Sequence, residues 1–397
     1  MYRFSDRLKD LNGTATREIL KLTSRPDIIS FAGGMPASEC LPRAEIADIT
    51  AALLSGDGAT AILQYGKTEG YAPFVEQAAE YLLRLGIRVA DDGIQVLSGG
   101  QQGLDLMCKA FLNKGDTVLV ENPTYLAFLQ IAKTYEANIV GVDADGDGLV
   151  LYDLESKLKR YAPKLLYVVP TFSNPTGKTY CAENRRAIVE LCERYGTVII
   201  EDDPYSRLRY DGADVPPLKT FDRNGTVVFV TSFSKTVAPS LRAAVAAGPP
   251  EAIRKLSIGK QGADVQSPAL CQAIVAEYLR RGYFYPTLAK NLAVYKTRRD
   301  AMLAALDKFM PDGVTYTRPD GGLFIWATLP HGIDAAAMLP EAIANNVAYI
   351  SGREFFADGG GANTVRLNFS SSDEARIDEG IATLAEIIKR KTGERRK

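Results

Sequence analysis

Short runs of aliphatic residues recur along the first two-thirds of the chain and predict the strands of one sheet. Several of these runs are apolar at almost every position, which is typical of strands that are covered on both faces. The predicted strands are Ile94–Leu97, Thr117–Val120, Asn138–Val142, Leu165–Val169, Thr197–Ile200, Val227–Thr231 and Ala243–Ala247.

Helical periodicity fills intervals between these strands. In Gln101–Leu112 the apolar residues fall on one face of a helix, and Ala182–Tyr195 shows the same spacing. The two apolar faces consist of Leu104, Met107, Cys108 and Phe111 in the first helix and of Ile188, Leu191 and Cys192 in the second. Strands that alternate with helices in this way predict an α/β fold around a wound, largely parallel sheet.

The pattern changes at about Ser267, where long helical stretches lead into mixed helices and short strands. The predicted order is helix Pro268–Arg281, helix Pro286–Met310, a hairpin of Val314–Thr317 and Gly322–Leu329 around Arg318–Gly321, helix Ile333–Asn345, strands Val347–Ile350 and Val365–Asn368, and helix Asp373–Lys391. This order predicts a second, smaller α+β domain.

The first 45 residues are too few to form a domain of their own. They contain one amphipathic helix, Ala15–Leu22, and a glycine-rich loop, Phe31–Pro36. We expect this N-terminal arm to pack on the C-terminal domain. The predicted division is a large domain of residues 46–290 and a small domain of residues 1–45 and 291–397.

Composition and charge restrict the class of protein. Hydrophobic residues make up 46% of the 397 positions and charged residues 24%, as in ordinary globular proteins. The formal net charge of -1 gives no electrostatic reason to expect nucleic acid. No apolar run approaches the roughly 20 residues of a membrane helix, and the N-terminus lacks a secretory pattern. We therefore expect a cytoplasmic protein without membrane or nucleic-acid partners.

The counts of histidine and cysteine limit the chemistry. The single histidine, His331, lies in a Pro-His-Gly turn, which argues against a Ser-His-Asp triad and excludes zinc sites that need two histidines. The five cysteines are scattered and form no CxxC pair, so we expect neither a disulfide framework nor a metal site. Proton transfer would fall to lysine, tyrosine or carboxylate side chains.

Polar residues follow four of the predicted strands. Ser98–Gly103 opens a helix with glycines, an arrangement that suits a bound phosphate, although a plain tight turn explains it equally well. Pro170–Gly177 reads as a turn or as a loop that presents the amide of Asn174 to a ligand. In Glu201–Tyr205, the acids could be solvated loop charges, but Asp202 and Tyr205 have the spacing to share one turn.

The fourth strand end carries Ser232, Ser234 and Lys235, with Arg242 seven residues farther on. Two hydroxyls, a lysine and an arginine together suit a phosphate and a reactive amine. Any one lysine is usually a surface residue. Ligands of open α/β sheets bind beyond the carboxyl ends of the strands, however. The four strand ends therefore predict one site with an anion cradle, an acid, a phenol, an amide and an amine.

Several ordered motifs resemble one family. The segment SFSKTVAPSLR (Ser232–Arg242) resembles the lysine motif of class I/II aminotransferases, within the fold-type I enzymes that depend on pyridoxal 5′-phosphate (PLP). NPTG at Asn174–Gly177 and the DxxY of Asp202–Tyr205 follow the same family pattern. The other matching segments are FAGGMP, LQYGKTEGY, SGGQQGLDL, NPTY, KQGADVQSP, GGLFIW and VRLNFS. The chain looks closest to the branch of 2-aminoadipate and kynurenine aminotransferases, which also supplies the C-terminal half of MocR-type regulators.

The resemblance implies roles around the cofactor ring. Lys235 would form the Schiff base with PLP and shuttle a proton, and Asp202 would pair with the pyridinium nitrogen. Tyr205 and Asn174 would bind the ring's phenolate oxygen, and Tyr125 would stack on the ring. Asp203 points to the opposite side of the extended chain, so Asp202 is the predicted acid.

The resemblance also implies how the phosphate is held. The residues implied are Ser98, Gly99, Gly100, Gln101, Ser232, Ser234 and Arg242. Tyr65 resembles a tyrosine that reaches the phosphate from the partner subunit, which implies a homodimer with shared active sites. Lys260 is a rival for the reactive amine, but its stretch is helix-like and does not end a strand.

On the substrate side, the resemblance implies that Arg366 binds the α-carboxylate, with Asn174 and Gly34 nearby. Arg17 matches a residue that can meet a distal carboxylate, but it could equally be a solvated arginine on a surface helix. The implied reaction moves the amino group of an L-amino acid of the 2-aminoadipate, aromatic or branched-chain type to a 2-oxo acid such as 2-oxoglutarate.

Two other functions remain open on the sequence alone. A fold-type I lyase or decarboxylase would share the same cofactor cage. A regulator that senses PLP would resemble this chain but carry a winged-helix module ahead of it. Because the resemblance begins close to Met1 and the net charge is not basic, we do not expect that module.

Overall fold

A seven-stranded sheet forms the centre of the computed structural model, which describes residues 2–9, 27–90 and 92–393. The strand order is β2-β8-β7-β6-β5-β3-β4, and β8 alone runs antiparallel to its neighbours. The strands are β2 Ile94–Ser98, β3 Thr117–Asn122, β4 Asn138–Asp143, β5 Leu165–Val168, β6 Val198–Asp203, β7 Val227–Ser232 and β8 Ala243–Ala247. The predicted mostly parallel sheet is confirmed.

Helices cover both faces of this sheet because successive strand residues point to opposite sides. On one face Tyr167 and Val230 belong to the same apolar core as the helix Gly100–Phe111. On the other face Leu166 and Ile199 share a core with the helix Ala182–Tyr195. The helices that surround the sheet are Arg43–Ser55, Ala59–Leu63, Ala72–Arg84, Gly100–Phe111, Leu126–Thr134, Leu151–Tyr161, Ala182–Tyr195, Pro250–Gln261 and Ala269–Arg280, and a short helix, Asp6–Lys9, lies near the N-terminus.

A second, four-stranded antiparallel sheet has the order β12-β13-β10-β9. Its strands are β9 Thr315–Tyr316, β10 Phe324–Thr328, β12 Ile350–Ser351 and β13 Thr364–Asn368. The helices around it are Phe284–Phe309, Ala335–Ala344 and Glu374–Thr392. The predicted smaller α+β region and its hairpin are thus present.

The N-terminal segment adds a strand to this region. β1 (Ile29–Ser30) pairs in parallel with β11 (Val347–Ala348), and Phe31 lies in the core of the smaller sheet. The sequence predicted one strand over Val347–Ile350, and this was wrong, since Tyr349 separates two strands that pair with different partners. Its buried hydroxyl donates to the carbonyl oxygen of Ala335 at 2.6 Å.

The predicted helix Ala15–Leu22 lies outside the described residues. Residues 46 and 290, the predicted domain limits, fall inside the helices Arg43–Ser55 and Phe284–Phe309, and the division into domains stays a prediction. Within the described parts of the chain, no helix has the length and apolar character required to cross a bilayer.

Candidate active site

The carboxyl ends of β5, β6 and β7 lie side by side and bring the predicted polar residues together. In the register of the sheet, Asp202 is opposite Val230 and Asp203 is opposite Thr231. The segment Ser232–Lys235 therefore begins beside the acids of β6. The edge of the sheet that the sequence predicted as the site is the edge at which these side chains meet.

Lys235 has a partly buried amine close to two cations. Its Nζ donates a hydrogen bond to the carbonyl oxygen of Gly34 at 2.6 Å. Burial, with the charges of Arg366 and Arg242, lowers the pKa of Lys235 to about 8. An amine with this pKa is partly neutral near pH 7, as a nucleophile must be.

Asp202 is a buried carboxyl with one occupied oxygen. Its Oδ2 accepts a hydrogen bond from the hydroxyl of Tyr167 at 2.8 Å, and no described residue donates to Oδ1. Burial raises the pKa of Asp202 to about 7, although the bond from Tyr167 opposes that change. A cationic partner at Oδ1 would stabilise the carboxylate form.

Asp203 is oriented differently from its neighbour. Its carboxylate accepts hydrogen bonds from Ser206, at 3.0 Å from the backbone nitrogen and at 2.6 Å from the hydroxyl. Successive residues of a strand point to opposite faces, so the carboxyls of Asp202 and Asp203 lie on different sides of β6. This geometry agrees with the choice of Asp202.

Arg366, Asn174 and Tyr205 form a buried polar group. Arg366 donates from Nη1 to Oδ1 of Asn174 at 2.8 Å and from Nη2 to the carbonyl oxygen of Ala32 at 2.6 Å. The side chain of Asn174 also lies close enough to Tyr205 to lower the pKa of its phenol against the larger, raising effect of burial. Burial lowers the pKa of Arg366 to about 10, and its Nε has no acceptor among the described residues. A guanidinium held in this way is prepared to bind a carboxylate.

Two aromatic rings enclose the Arg366 guanidinium. Its Cζ lies 4.3 Å from the ring centroid of Phe324 and 5.1 Å from that of Phe355. Both distances are within the range of cation–π attraction. The rings come from separate parts of the chain and fix the orientation of the guanidinium plane.

An anion cradle lies at the start of the helix Gly100–Phe111. Gly99 has φ 90°, and a Cβ there would lie 1.9 Å from Nη2 of Arg242, so only glycine fits. The hydroxyls of Ser232 and Ser234 are 2.7 Å apart, and Nη2 of Arg242 donates to the carbonyl oxygen of Ser98 at 3.3 Å. Free N–H groups, hydroxyls and a guanidinium at a helix N-terminus suit a phosphate.

The remaining predicted residues have different positions. Tyr125 donates its hydroxyl to Oε1 of Gln101 at 3.3 Å, which places its side chain beside the cradle. Tyr65 is 81% exposed. Arg17 lies outside the described residues.

Lys260 and His331 are the two other side chains that could have carried the reactive chemistry. Lys260 belongs to the helix Pro250–Gln261, as expected, and its Nζ donates to Asp264 at 2.9 Å and to Gln102 at 2.7 Å. His331 is exposed in its turn. Neither residue offers a free nucleophile at the carboxyl edge of the sheet.

Two polar residues near the site were missed on the sequence. Tyr167, which binds Asp202, was treated as part of an apolar strand. Glu121 follows the predicted strand Thr117–Val120 and is 2% exposed, with hydrogen bonds to Val169, Ser173 and Tyr180. A tyrosine or glutamate inside an otherwise aliphatic strand could have been recognised as a buried polar group that needs a partner.

Comparisons with known proteins identify the family. The family model "Aminotransferase class I and II" matches residues 29–384. The chain is 44% identical to aromatic-amino-acid aminotransferase 1 of Thermococcus litoralis over 97% of its own length and 94% of that protein.

Solved structures of similar proteins share the whole fold. The kynurenine aminotransferase of Pyrococcus horikoshii, in complex with PMP, has a TM-score of 0.94 and 42% identity, with coverage of 98% of this chain and 97% of that one. LysN, the α-aminoadipate aminotransferase of Thermus thermophilus, complexed with N-(5′-phosphopyridoxyl)-L-leucine, has a TM-score of 0.91 and 38% identity, with 98% coverage of both chains. These matches do not favour the lyase, decarboxylase or regulator alternatives.

The residues present fit a phosphorylated pyridine aldehyde. A partly neutral amine is available at Lys235, Oδ1 of Asp202 has no donor among the described residues, and the Gly99 cradle excludes any side chain from the space beside Arg242. Amine, acid and anion cradle all lie at the carboxyl edge of one sheet. The chain therefore belongs to the class I and II aminotransferases and uses pyridoxal 5′-phosphate as its cofactor.

Proposed function

We propose that the chain transfers the amino group of an L-amino acid to a 2-oxo acid, with Lys235 as the residue that attaches PLP. The observation that carries this assignment is the partly buried amine of Lys235, whose pKa is lowered to about 8 by burial and by Arg366 and Arg242. When bound, PLP supplies an aldehyde that captures amines and a ring that withdraws electrons.

The phosphate of the cofactor would lie in the cradle. Backbone N–H groups of a helix N-terminus, two hydroxyls and a guanidinium would hold it. The residues proposed for this contact are Ser98, Gly99, Gly100, Gln101, Ser232, Ser234 and Arg242.

The ring would be held by groups on three sides. Asp202 would accept the pyridine nitrogen's hydrogen at Oδ1 and keep that nitrogen protonated. Tyr205 and Asn174 would donate hydrogen bonds to the ring's phenolate oxygen, and Tyr125 would stack on the ring face. The bond from Tyr167 orients Asp202 and leaves Oδ1 free for this contact.

Lys235 and Arg366 would handle the substrate. Arg366 would bind the substrate α-carboxylate through its planar fork, which fixes the direction of the bond between the α-carbon and its hydrogen. Lys235, as a neutral amine, would take the proton from the α-carbon of the substrate and then give it to the cofactor. The carbonyl oxygen of Gly34, which accepts from Lys235, would orient the amine between these steps.

The amino donors would be of the 2-aminoadipate, aromatic or branched-chain type, with 2-oxoglutarate as an acceptor. Support comes from the named relatives, which act on aromatic amino acids, kynurenine and α-aminoadipate. Arg17 is proposed to meet a distal carboxylate.

The active form would be a homodimer in the cytoplasm with shared active sites. Tyr65 is exposed, and it lies between exposed Leu63 and Gly66, whose amide contacts Gln266. A large aromatic side chain on the surface is explained if it enters the partner's phosphate cradle. We also propose that each chain is divided into a large domain of residues 46–290 and a small domain of residues 1–45 and 291–397.

A screen of natural amino acids with 2-oxoglutarate tests the reaction. We expect the loaded protein to form one glutamate for each 2-oxo acid produced from the donor. Release of ammonia or carbon dioxide without glutamate would replace the proposal with a lyase or a decarboxylase.

A further inference from the structure

Glu121 is a buried carboxyl that holds the loop between β5 and the helix Ala182–Tyr195. Its Oε1 accepts from the backbone nitrogen of Val169 at 3.0 Å and from the hydroxyl of Ser173 at 3.2 Å. Its Oε2 accepts from the hydroxyl of Tyr180 at 2.5 Å. All three partners belong to one connection, so a single side chain of β3 anchors it.

The three partners are spread along that connection. Val169 stands at its start and Tyr180 at its end, while Ser173 comes directly before Asn174. The carboxyl of Glu121 therefore fixes both ends of the loop and the position next to Asn174. Movement of Ser173 relative to β3 would move Asn174 with it.

Other bonds shape the loop but serve a different purpose. The amide of Gly177 donates to the carbonyl oxygen of Ser173 at 2.7 Å, and this bond closes the turn. Arg185 donates to the carbonyl oxygen of Pro170 at 2.8 Å and to the hydroxyl of Thr171 at 2.9 Å, which ties the loop to the following helix. Ser173, the residue before Asn174, is connected to β3 through its hydrogen bond to Glu121.

The position of Asn174 matters because its side chain connects two groups of the site. Its Oδ1 accepts from Arg366 at 2.8 Å, and its side chain also acts on the phenol of Tyr205, whose pKa it lowers against the larger effect of burial. Misplacement of a positioning group by about 1 Å can cost as much as 10²-fold in rate. A shift of the loop would therefore disturb the guanidinium that faces the substrate carboxylate.

We propose that Glu121 is a positioning residue for the transfer reaction, which acts through Ser173 to orient Asn174 and, with it, Arg366. The inference rests on the roles proposed above for Asn174 and Arg366. Glu121 itself would touch neither substrate nor cofactor.

The protonation of Glu121 indicates which variant should preserve its bonds. Burial raises the pKa of Glu121 to about 8, against the hydrogen bonds from Tyr180, Val169 and Ser173. When Glu121 keeps its proton near pH 7, the one hydrogen between Oε2 and the Tyr180 oxygen can come from either group, so Tyr180 can also act as the acceptor in this bond. Glutamine has an N–H at that position and an acceptor at the other, so it reproduces the pattern.

The mildest test is Ser173→Ala, with Thr171→Val as its matched control. Each removes one buried loop hydroxyl, but only the first removes a bond to Glu121. We expect Ser173→Ala to raise the KM for L-glutamate about three- to tenfold. The pH midpoint of the absorbance change of bound PLP should rise by about half a unit. The reason is that a displaced Asn174 would donate less well to the phenolate oxygen of the ring, and a hydrogen bond to an anionic oxygen lowers its pKa. Thr171→Val should leave both quantities within about twofold or 0.1 unit.

A second pair compares two buried carboxyls. Glu201 lies on β6, is 1% exposed and accepts from the backbone nitrogens of Leu218 and Lys219 at 2.7 and 2.8 Å. Glu121→Met and Glu201→Met should both lower the unfolding temperature. Only Glu121→Met should raise the KM and the absorbance midpoint. Glu121→Gln should bring both quantities most of the way back to their wild-type values.

The outcomes separate this inference from the proposed function. If Ser173→Ala changes the KM and the midpoint no more than Thr171→Val does, the positioning role is wrong, whether or not Glu121→Met folds. Equal changes in Glu121→Met and Glu201→Met would give Glu121 a structural role only. Failure of the wild-type protein to form glutamate would instead overturn the function.

Discussion

The hydroxyl of Tyr167 donates to Oδ2 of Asp202 at 2.8 Å, and the Tyr167 ring stacks on Phe128 with centroids 3.9 Å apart and an angle of 10° between the planes. Both residues of the hydrogen bond lie on the same face of neighbouring parallel strands. The stack orients the phenol of Tyr167 and the phenol orients the carboxyl of Asp202, whose other oxygen, Oδ1, has no donor among the described residues.

Removal of the Tyr167 hydroxyl should weaken the binding of the cofactor ring by Asp202. Tyr167→Phe keeps the stack on Phe128 but deletes a bond that lowers the pKa of Asp202. That pKa should rise further above about 7, so the acidic limb of PLP affinity moves to higher pH. We expect kcat to fall about tenfold, as measured by steady-state kinetics and by PLP titration of the apo-protein.

Tyr349→Phe is the matched control, since this buried hydroxyl also has one acceptor, at 2.6 Å, but lies in the smaller core. It should change stability and leave PLP affinity as it was. If Tyr167→Phe binds PLP with an unaltered pH profile, Tyr167 does not act on Asp202.

Replacement of Arg366 by lysine should impair every amino-acid substrate. Arg366→Lys keeps the positive charge but loses the planar fork that Asn174 and Ala32 hold in place. We expect kcat/KM to fall about 10²-fold for each substrate tested. Arg353→Lys, a change at an exposed arginine paired with Asp334, serves as the control. Normal KM values for all substrates would contradict the carboxylate contact.

The rate at which the apo-protein captures PLP should depend on pH through the pKa of Lys235. Capture needs the neutral amine, whose fraction grows as pH rises and levels off above a pKa of about 8. Stopped-flow absorbance between pH 6 and 10 measures this profile. A rate that keeps rising toward pH 10.5, as for an ordinary lysine, would show that the site does not depress the pKa.

Tyr65 should act on the partner's site, which a mixing experiment can detect. Lys235→Ala and Tyr65→Ala chains, each poorly active alone, are dissociated together and allowed to reassociate. A mixed dimer would contain one site with both changes and one with neither, so about a quarter of all sites should recover. No recovery would place Tyr65 in its own chain's site or in none.

Much of the fold was predictable because the central residues of the strands are apolar. The ends of the strands were not predictable, because polar residues occupy them. The apolar criterion stopped at Val120 and Ile200, whereas backbone pairing continues through Asn122 and Asp203. The polar residues that end these strands are those that serve the site or its supports. Glu121 was missed for this reason, since a glutamate in a buried strand contradicts the pattern used to find strands.

Contacts between distant segments could not be read from local patterns. Phe324 and Phe355 enclose Arg366 only after the smaller sheet has formed, and nothing in their spacing indicates a cation between them. The split of Val347–Ile350 has the same origin, because strand pairing partners are not encoded in one strand's own residues. The placement of Lys235, Asp202 and Asn174 at the carboxyl edge of the sheet was predictable, since each belongs to a short motif at a strand end, and their roles stay predictions.

Reduction of the PLP-loaded protein with borohydride, followed by peptide mass spectrometry, tests the attachment of PLP to Lys235 most directly. We expect the phosphopyridoxyl group on Lys235, its loss in Lys235→Ala, and its retention in Lys260→Ala, a change at a fully buried lysine whose pKa is also lowered. A colourless protein after incubation with PLP, or a label at another lysine, would show that Lys235 does not carry the cofactor.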